Sequence, residues 1–150
     1  MSALDEKIAF LKARLDEDER FAKRATEGPW TVDIHGNRYS IRSPWRQMID
    51  DGGNEVPGGR TNNEVAAGFT YVDGAHDNVY FIARFDSARA LAEIAAKRSI
   101  INMAEKVESM ARVIGSEWGL TDDDVEGQDI IDEMLQVYAE HPDFQEGWRS

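Results

Sequence analysis

Apolar residues recur along this chain at a helical period, then at a strand period, then at a helical period again. Leu4, Ile8, Leu11 and Leu15 fall at i, i+4, i+7 and i+11, with Phe10 and Ala22 widening the stripe. Charged residues fill the other face, so the spacing predicts an amphipathic helix over residues 3–26. Gly28-Pro29 ends it, because glycine takes the left-handed position past a helix and proline cannot continue the ladder. Alternation then takes over in Trp30 to His35 and again in Arg38 to Ser43. A two-residue turn at Gly36-Asn37 pairs His35 with Arg38, Ile34 with Tyr39 and Val32 with Ile41, which sets the apolar residues of a hairpin on one face. Pro44 ends the second strand or forces a bulge.

Trp45 to Ile49 is expected to extend the sheet. Residues 50–63 hold Gly52-Gly53 and Pro57-Gly58-Gly59 with almost no apolar content, and they read as a mobile loop. Val65, Ala67, Phe69 and Tyr71 alternate once more, a third strand closed by Asp73-Gly74. From His76 the period is helical. Val79, Ile82, Ala83 and Phe85 mark a short helix, and Asp86-Ser87 caps a long one over 87–114. Its stripe is Leu91, Ile94, Ile101, Ala104, Val107, Ala111 and Ile114, and Gly115 and Gly119 break it. A last helix is expected from Val125 to Glu140, with Ile130, Ile131, Met134, Leu135 and Tyr138 on its buried side, ended by His141-Pro142.

The expected fold is therefore α+β in a single domain spanning 1–150. It has an N-terminal helix, a small antiparallel sheet of about three strands, a long C-terminal helix and a shorter acidic one. The two longest helices offer more apolar stripe than three strands cover. Met103, Val107, Met110 and Ile114 are accordingly expected to pack against a second copy, as a homodimer.

Composition narrows the function classes. The chain has 150 residues, 41% of them hydrophobic, and a net charge of −12, which suits a globular protein and opposes contact with phosphate or an anionic membrane. It has no cysteine, so disulfides, thiolate nucleophiles and cysteine-held metals are ruled out. No basic start precedes an apolar run and no stretch is long and apolar enough to span a bilayer, so the expected location is the cytoplasm. The negative charge is uneven: eleven of the 29 acidic residues follow Ile114, against one basic residue, Arg149. Such a block fits a basic protein partner, a cation, or plain solvation.

Three segments carry a resemblance when taken together: Phe10 to Glu19 running into Ala25 to Trp30, His76 to Arg98, in which His76 and Ser87 stand where the family often has a proline, and Tyr138 to Trp148. In this order they resemble an uncharacterised family of small proteins from actinobacteria and their phages, catalogued as a domain of unknown function. The resemblance covers about half the chain. It implies a small phage- or prophage-type protein acting inside a host cell, and it brings no activity, cofactor or catalytic residue.

The candidate chemistry is sparse. Asp122, Asp124 and Glu126 with Gly127 and Glu133 match the ligand spacing of a calcium loop. Asp129, however, stands where an aliphatic residue belongs, and a helix start capped by Thr121 and made acidic by Asp122, Asp123 and Asp124 explains the run more simply. His35, His76 and His141 lack the spacing of a metal site or a catalytic base. No nucleophile elbow, phosphate-cradling loop or dinucleotide fingerprint occurs. Trp45, Trp118 and Trp148 have polar neighbours, and tryptophan is enriched at interface hot spots. Arg38, Arg42, Arg46 and Arg60, interleaved with Tyr39 and Trp45, could grip single-stranded nucleic acid, but in so acidic a chain they are expected to meet the acidic tail, of the same chain or of a neighbouring copy.

The reading that follows is a non-enzymatic accessory protein without cofactor, membrane contact or direct nucleic-acid contact. It binds a host protein that has a basic surface, through the region 117–146, with Asp122, Asp123, Asp124, Glu126, Asp129, Trp118 and Trp148 as contact residues. The alternatives are an acidic mimic of nucleic acid that blocks a DNA-binding protein, and a calcium module or small metal enzyme.

Overall fold

The computed structural model describes residues 2–69, 75–118 and 127–149, with backbone alone at 112 and 114–118. The architecture is α+β, as the periodicities require. Helix α1 spans Ala3–Arg24, strands β1 Thr31–His35 and β2 Arg38–Arg42 form a hairpin, and strands β3 Arg46–Ile49 and β4 Glu55–Thr61 form another. Strand β5 Glu64–Phe69, helices α2 Ala75–Arg84, α3 Ser87–Trp118 and α4 Gly127–Gln136, and a short 3-10 turn at Glu146–Trp148 complete it. The chain makes two compact units, residues 1–18 with 93–150, and residues 19–92; α1 and α3 contribute to both. No helix among the described residues is long and apolar enough to cross a membrane.

The first unit is helical. Ser2 and Asp5 start α1 by reciprocal capping: the Asp5 N–H donates to Ser2 Oγ at 3.1 Å and the Ser2 N–H donates to Asp5 Oδ2 at 2.8 Å. Leu4, Ile8, Leu11 and Leu15 are buried as their spacing predicts. They share one core with Ile94, Ile101 and Ala104 of α3 and Ile131 and Leu135 of α4. Polar bonds brace the same helices, Lys7 to Asp132 at 2.5 Å, Lys12 to Glu105 at 2.6 Å and Arg98 to Asp16 at 2.6 Å.

Three helical expectations change. α3 runs through Gly115, because one glycine costs only about 1 kcal/mol relative to alanine and the hydrogen bonds on either side override it. Val107, expected within the core stripe of that helix, is exposed, since the core face is set by Ile94, Ile101 and Ala104. Ile130 is also exposed: Ile131 and Leu135 centre the buried face of α4 and leave it at the edge.

In the second unit β1, β2 and β5 form an antiparallel sheet in that order. The first hairpin has the expected register, His35 opposite Arg38, Ile34 opposite Tyr39 and Val32 opposite Ile41. Gly36 supplies the turn with a φ of 60°. α2 covers one face, with Ile41, Val79 and Ala83 at the centre and Trp30, Val32, Tyr39, Val65 and Ala66 around them.

The third strand departs from its predicted alternation. The register shifts between Ile41 and Arg42, so that Ile41 faces Ala66 and Arg42 faces Glu64. One extra residue turns the faces over: Val65 and Ala66 reach the core while Ala67 and Phe69 point out. Tyr71 lies outside the described residues.

Residues 50–63, expected to be a loop, carry β4, and Arg46–Ile49 pairs with it instead of extending the first sheet. Asp50 builds the turn by accepting from the Gly52 and Asn54 N–H groups at 2.9 and 2.8 Å. Those bonds, the Asn54 N–H first among them, hold the Asp50 carboxyl below its ordinary value. Gln47 faces Arg60 but Ile49 faces Glu55, so residues 56–59 bulge opposite Met48. A hairpin that buries no side chain leaves no hydrophobic period for a sequence to display.

Candidate functional site

The segments that carry the resemblance meet within each unit, and what they build is structural. In residues 19–92, Asp86 and Ser87 are buried at the start of α3. The Arg89 and Trp30 N–H groups donate to the two Asp86 carboxylate oxygens at 2.8 and 3.1 Å. The Gly28 N–H donates to Ser87 Oγ at 2.9 Å, and that hydroxyl donates to the Thr26 carbonyl at 2.8 Å. The Trp30 indole N–H donates to the same carbonyl at 2.9 Å. Helix cap and chain turn thus satisfy each other's backbone groups, which leaves this buried Asp–Ser pair holding the fold.

In the other unit, Phe10 is ringed edge-on by Tyr138, His141, Phe144 and Trp148, with centroids 5.3–6.4 Å away. The Arg14 guanidinium lies against the His141 ring and 3.1 Å from Glu17. The Tyr138 hydroxyl donates to Asp18 at 2.8 Å. Burial, and then the Asp18 carboxylate, push the Tyr138 phenol well above its ordinary value. A phenol held neutral beside a carboxylate is a fastening for the C-terminal segment. Trp148, expected at a partner contact, is half-buried in this cluster, and the Gln136 side chain donates to its carbonyl at 2.9 Å.

The exposed faces offer more. α2 buries its smaller side chains, Ala75, Val79 and Ala83, against the sheet. Its larger ones, Tyr80, Phe81 and Ile82, together with Phe85 just beyond it, are 45–62% exposed. Phe81 and Phe85 stack at 4.5 Å, and the Arg89 guanidinium sits over Phe85 at 4.1 Å. Of Val79, Ile82, Ala83 and Phe85, whose spacing marks this helix in the sequence, only Val79 and Ala83 are buried, against a third strand rich in small residues that takes only a small helix face. Trp45, of the tryptophans suspected as contacts, is 63% exposed.

The arginine strip divides. Arg38 and Arg42 share the outer sheet face with Asp33, His35 and Glu64 around a shallow hollow of about 240 Å³. Arg42 lies 3.7 Å from Glu64, and His35 lies 3.1 Å from Asp33. Arg46 pairs with Glu27. Arg42 and Arg46 find carboxylates nearby in their own unit, and the mixed charges make a poor cradle for phosphate.

Of the acidic candidates, Asp129 and Glu133 lie exposed four residues apart on α4. Asp122, Asp123, Asp124 and Glu126 lie outside the described residues, and with them most of the calcium spacing. Trp118 ends α3. Among the described residues no three histidine or carboxylate side chains converge as a metal cage.

No curated protein and no solved structure matches the chain. Residues 4–150 match a family described as one of unknown function, DUF6221. The likeness therefore runs well beyond the three segments that first suggested it, and the chain belongs to that family.

Proposed function

We propose that this protein works by binding another protein, without catalysis, as an accessory protein of phage or prophage type in the cytoplasm of an actinobacterial host. The observation that carries the reading is the face of α2, where Tyr80, Phe81, Ile82 and Phe85 are displayed and only smaller residues are buried. Clustered exposed aromatics cost solubility and are the side chains that dominate binding hot spots. The partner this surface fits presents an apolar pocket. The acidic stretch from Glu117 to Glu146 adds a preference for a basic surface on that partner, acting mainly on the rate of encounter.

A pull-down from actinobacterial lysate tests this with two variants beside the wild type. Phe81→Ser with Phe85→Ser should abolish capture of the partner while leaving the melting temperature unchanged. Asp122, Asp123 and Asp124 changed to Asn should slow capture and flatten its salt dependence. If the wild type enriches nothing reproducibly, or if the aromatic variant captures as well as the wild type, the reading fails.

A further inference from the structure

α3 carries two apolar stripes, and its own core uses only one. Ile94, Ile101 and Ala104 are buried against α1 and α4. Ile100, Met103, Val107 and Met110 are 36–62% exposed on another face, and Ile114 continues their spacing in sequence. The steps are three, four, three and four, the narrow seam of a coiled coil. We propose that this seam is covered by a second copy of the chain, packed antiparallel about a two-fold axis near Val107.

Two observations select a second copy over another occupant. First, the seam reads Ile, Met, Val, Met, Ile in either direction. A two-fold interface must match itself, and antiparallel copies then set Met103 beside Met110 and Ile100 beside Ile114. Second, the seam is a lane free of acid in a chain with a net charge of −12. Between residues 96 and 113 the only carboxylates are Glu105 and Glu108. Glu105 is bonded to Lys12 at 2.6 Å, and Glu108 lies against Gly127 at the start of α4. Ser99, Asn102, Lys106 and Ser109 flank the seam, so two strongly acidic molecules meet here without opposing carboxylates.

Sedimentation or light scattering across the micromolar range reads the assembly. The wild type should show twice the chain mass. Val107→Asp should weaken association by roughly a hundredfold or more, since it would bury an unpaired charge, while the circular dichroism stays that of the folded chain because Val107 is exposed within the single chain. The absence of native cysteine gives a second readout. Val107→Cys should cross-link to its counterpart, and Ile100→Cys should not, because antiparallel copies hold the two residues 100 far apart. A wild type that stays monomeric overturns the proposal, as does a dimer indifferent to Val107→Asp. Equal cross-linking at both positions overturns the antiparallel arrangement. None of these outcomes depends on the α2 surface, so the two proposals fail separately.

Discussion

At Gly28 the chain has no room for a side chain. A Cβ there would lie 2.7 Å from Asp86 Oδ1, and that carboxylate cannot retreat because the Trp30 and Arg89 N–H groups hold it. Gly28→Ala should therefore cost about 2 kcal/mol, in the range of overpacked interiors, seen as a lower melting temperature. Tyr138 makes a forecast in pH. Its proton is held more tightly in the folded chain than at the ordinary value of 10.0, so the stabilisation is complete below that pH and is lost as pH rises past it. Tyr138→Phe should cost about 1 kcal/mol at neutral pH through the lost hydrogen bond. Thermal melts on either side of pH 10.0 should show the wild type losing stability more steeply than the variant. Parallel curves would mean that the phenol titrates as it does in water.

Among the elements, the β3–β4 hairpin contributes least to the cores. The four residues of β3 are all exposed, and no residue of either strand belongs to a core cluster. Its base is closed independently, by the Ser43 N–H donating to the Asn63 carbonyl at 2.9 Å and the Asn63 N–H donating to Ser43 Oγ at 2.8 Å. Replacing residues 46–61 with a short Gly-Ser link should leave the melting temperature nearly unchanged, because closing a surface loop depends only weakly on its length. A large drop would assign the hairpin a supporting role that its exposure does not suggest. α2 is the opposite case, a helix whose buried face is legible only once its neighbour is known. Val79 and Ala83 fit beneath it because Val65 and Ala66 of β5 offer shallow packing, and that forces the aromatic residues outward.

For the molecule as a whole, charge is the dominant long-range term. A net charge of −12 makes the compact state repel itself, whereas the ion pairs joining α1 to α3 and α4 oppose that only locally. Added sodium chloride should therefore raise the melting temperature, since screening relieves many weak repulsions and weakens few pairs. A fall with salt would show that those pairs outweigh the net charge. The DUF6221 family sets no expectation of chemistry, and among the described residues the buried polar groups at Asp86 and Ser87 are committed to holding backbone.

What could be read from the chain alone was whatever depends on local period and turn chemistry. The stripe of Leu4, Ile8, Leu11 and Leu15 and the register about Gly36-Asn37 follow from neighbours a few residues apart, so composition and spacing determined them. The extra residue in β5, the β3–β4 pair and the outward aromatics of α2 depend on what lies opposite, and no local period encodes an opposing surface. The meeting of Gly28 with Asp86 and of Phe10 with Trp148 was likewise decided in three dimensions. In each case residues far apart in sequence satisfy one another's hydrogen bonds or ring faces, and only the folded chain brings them within reach.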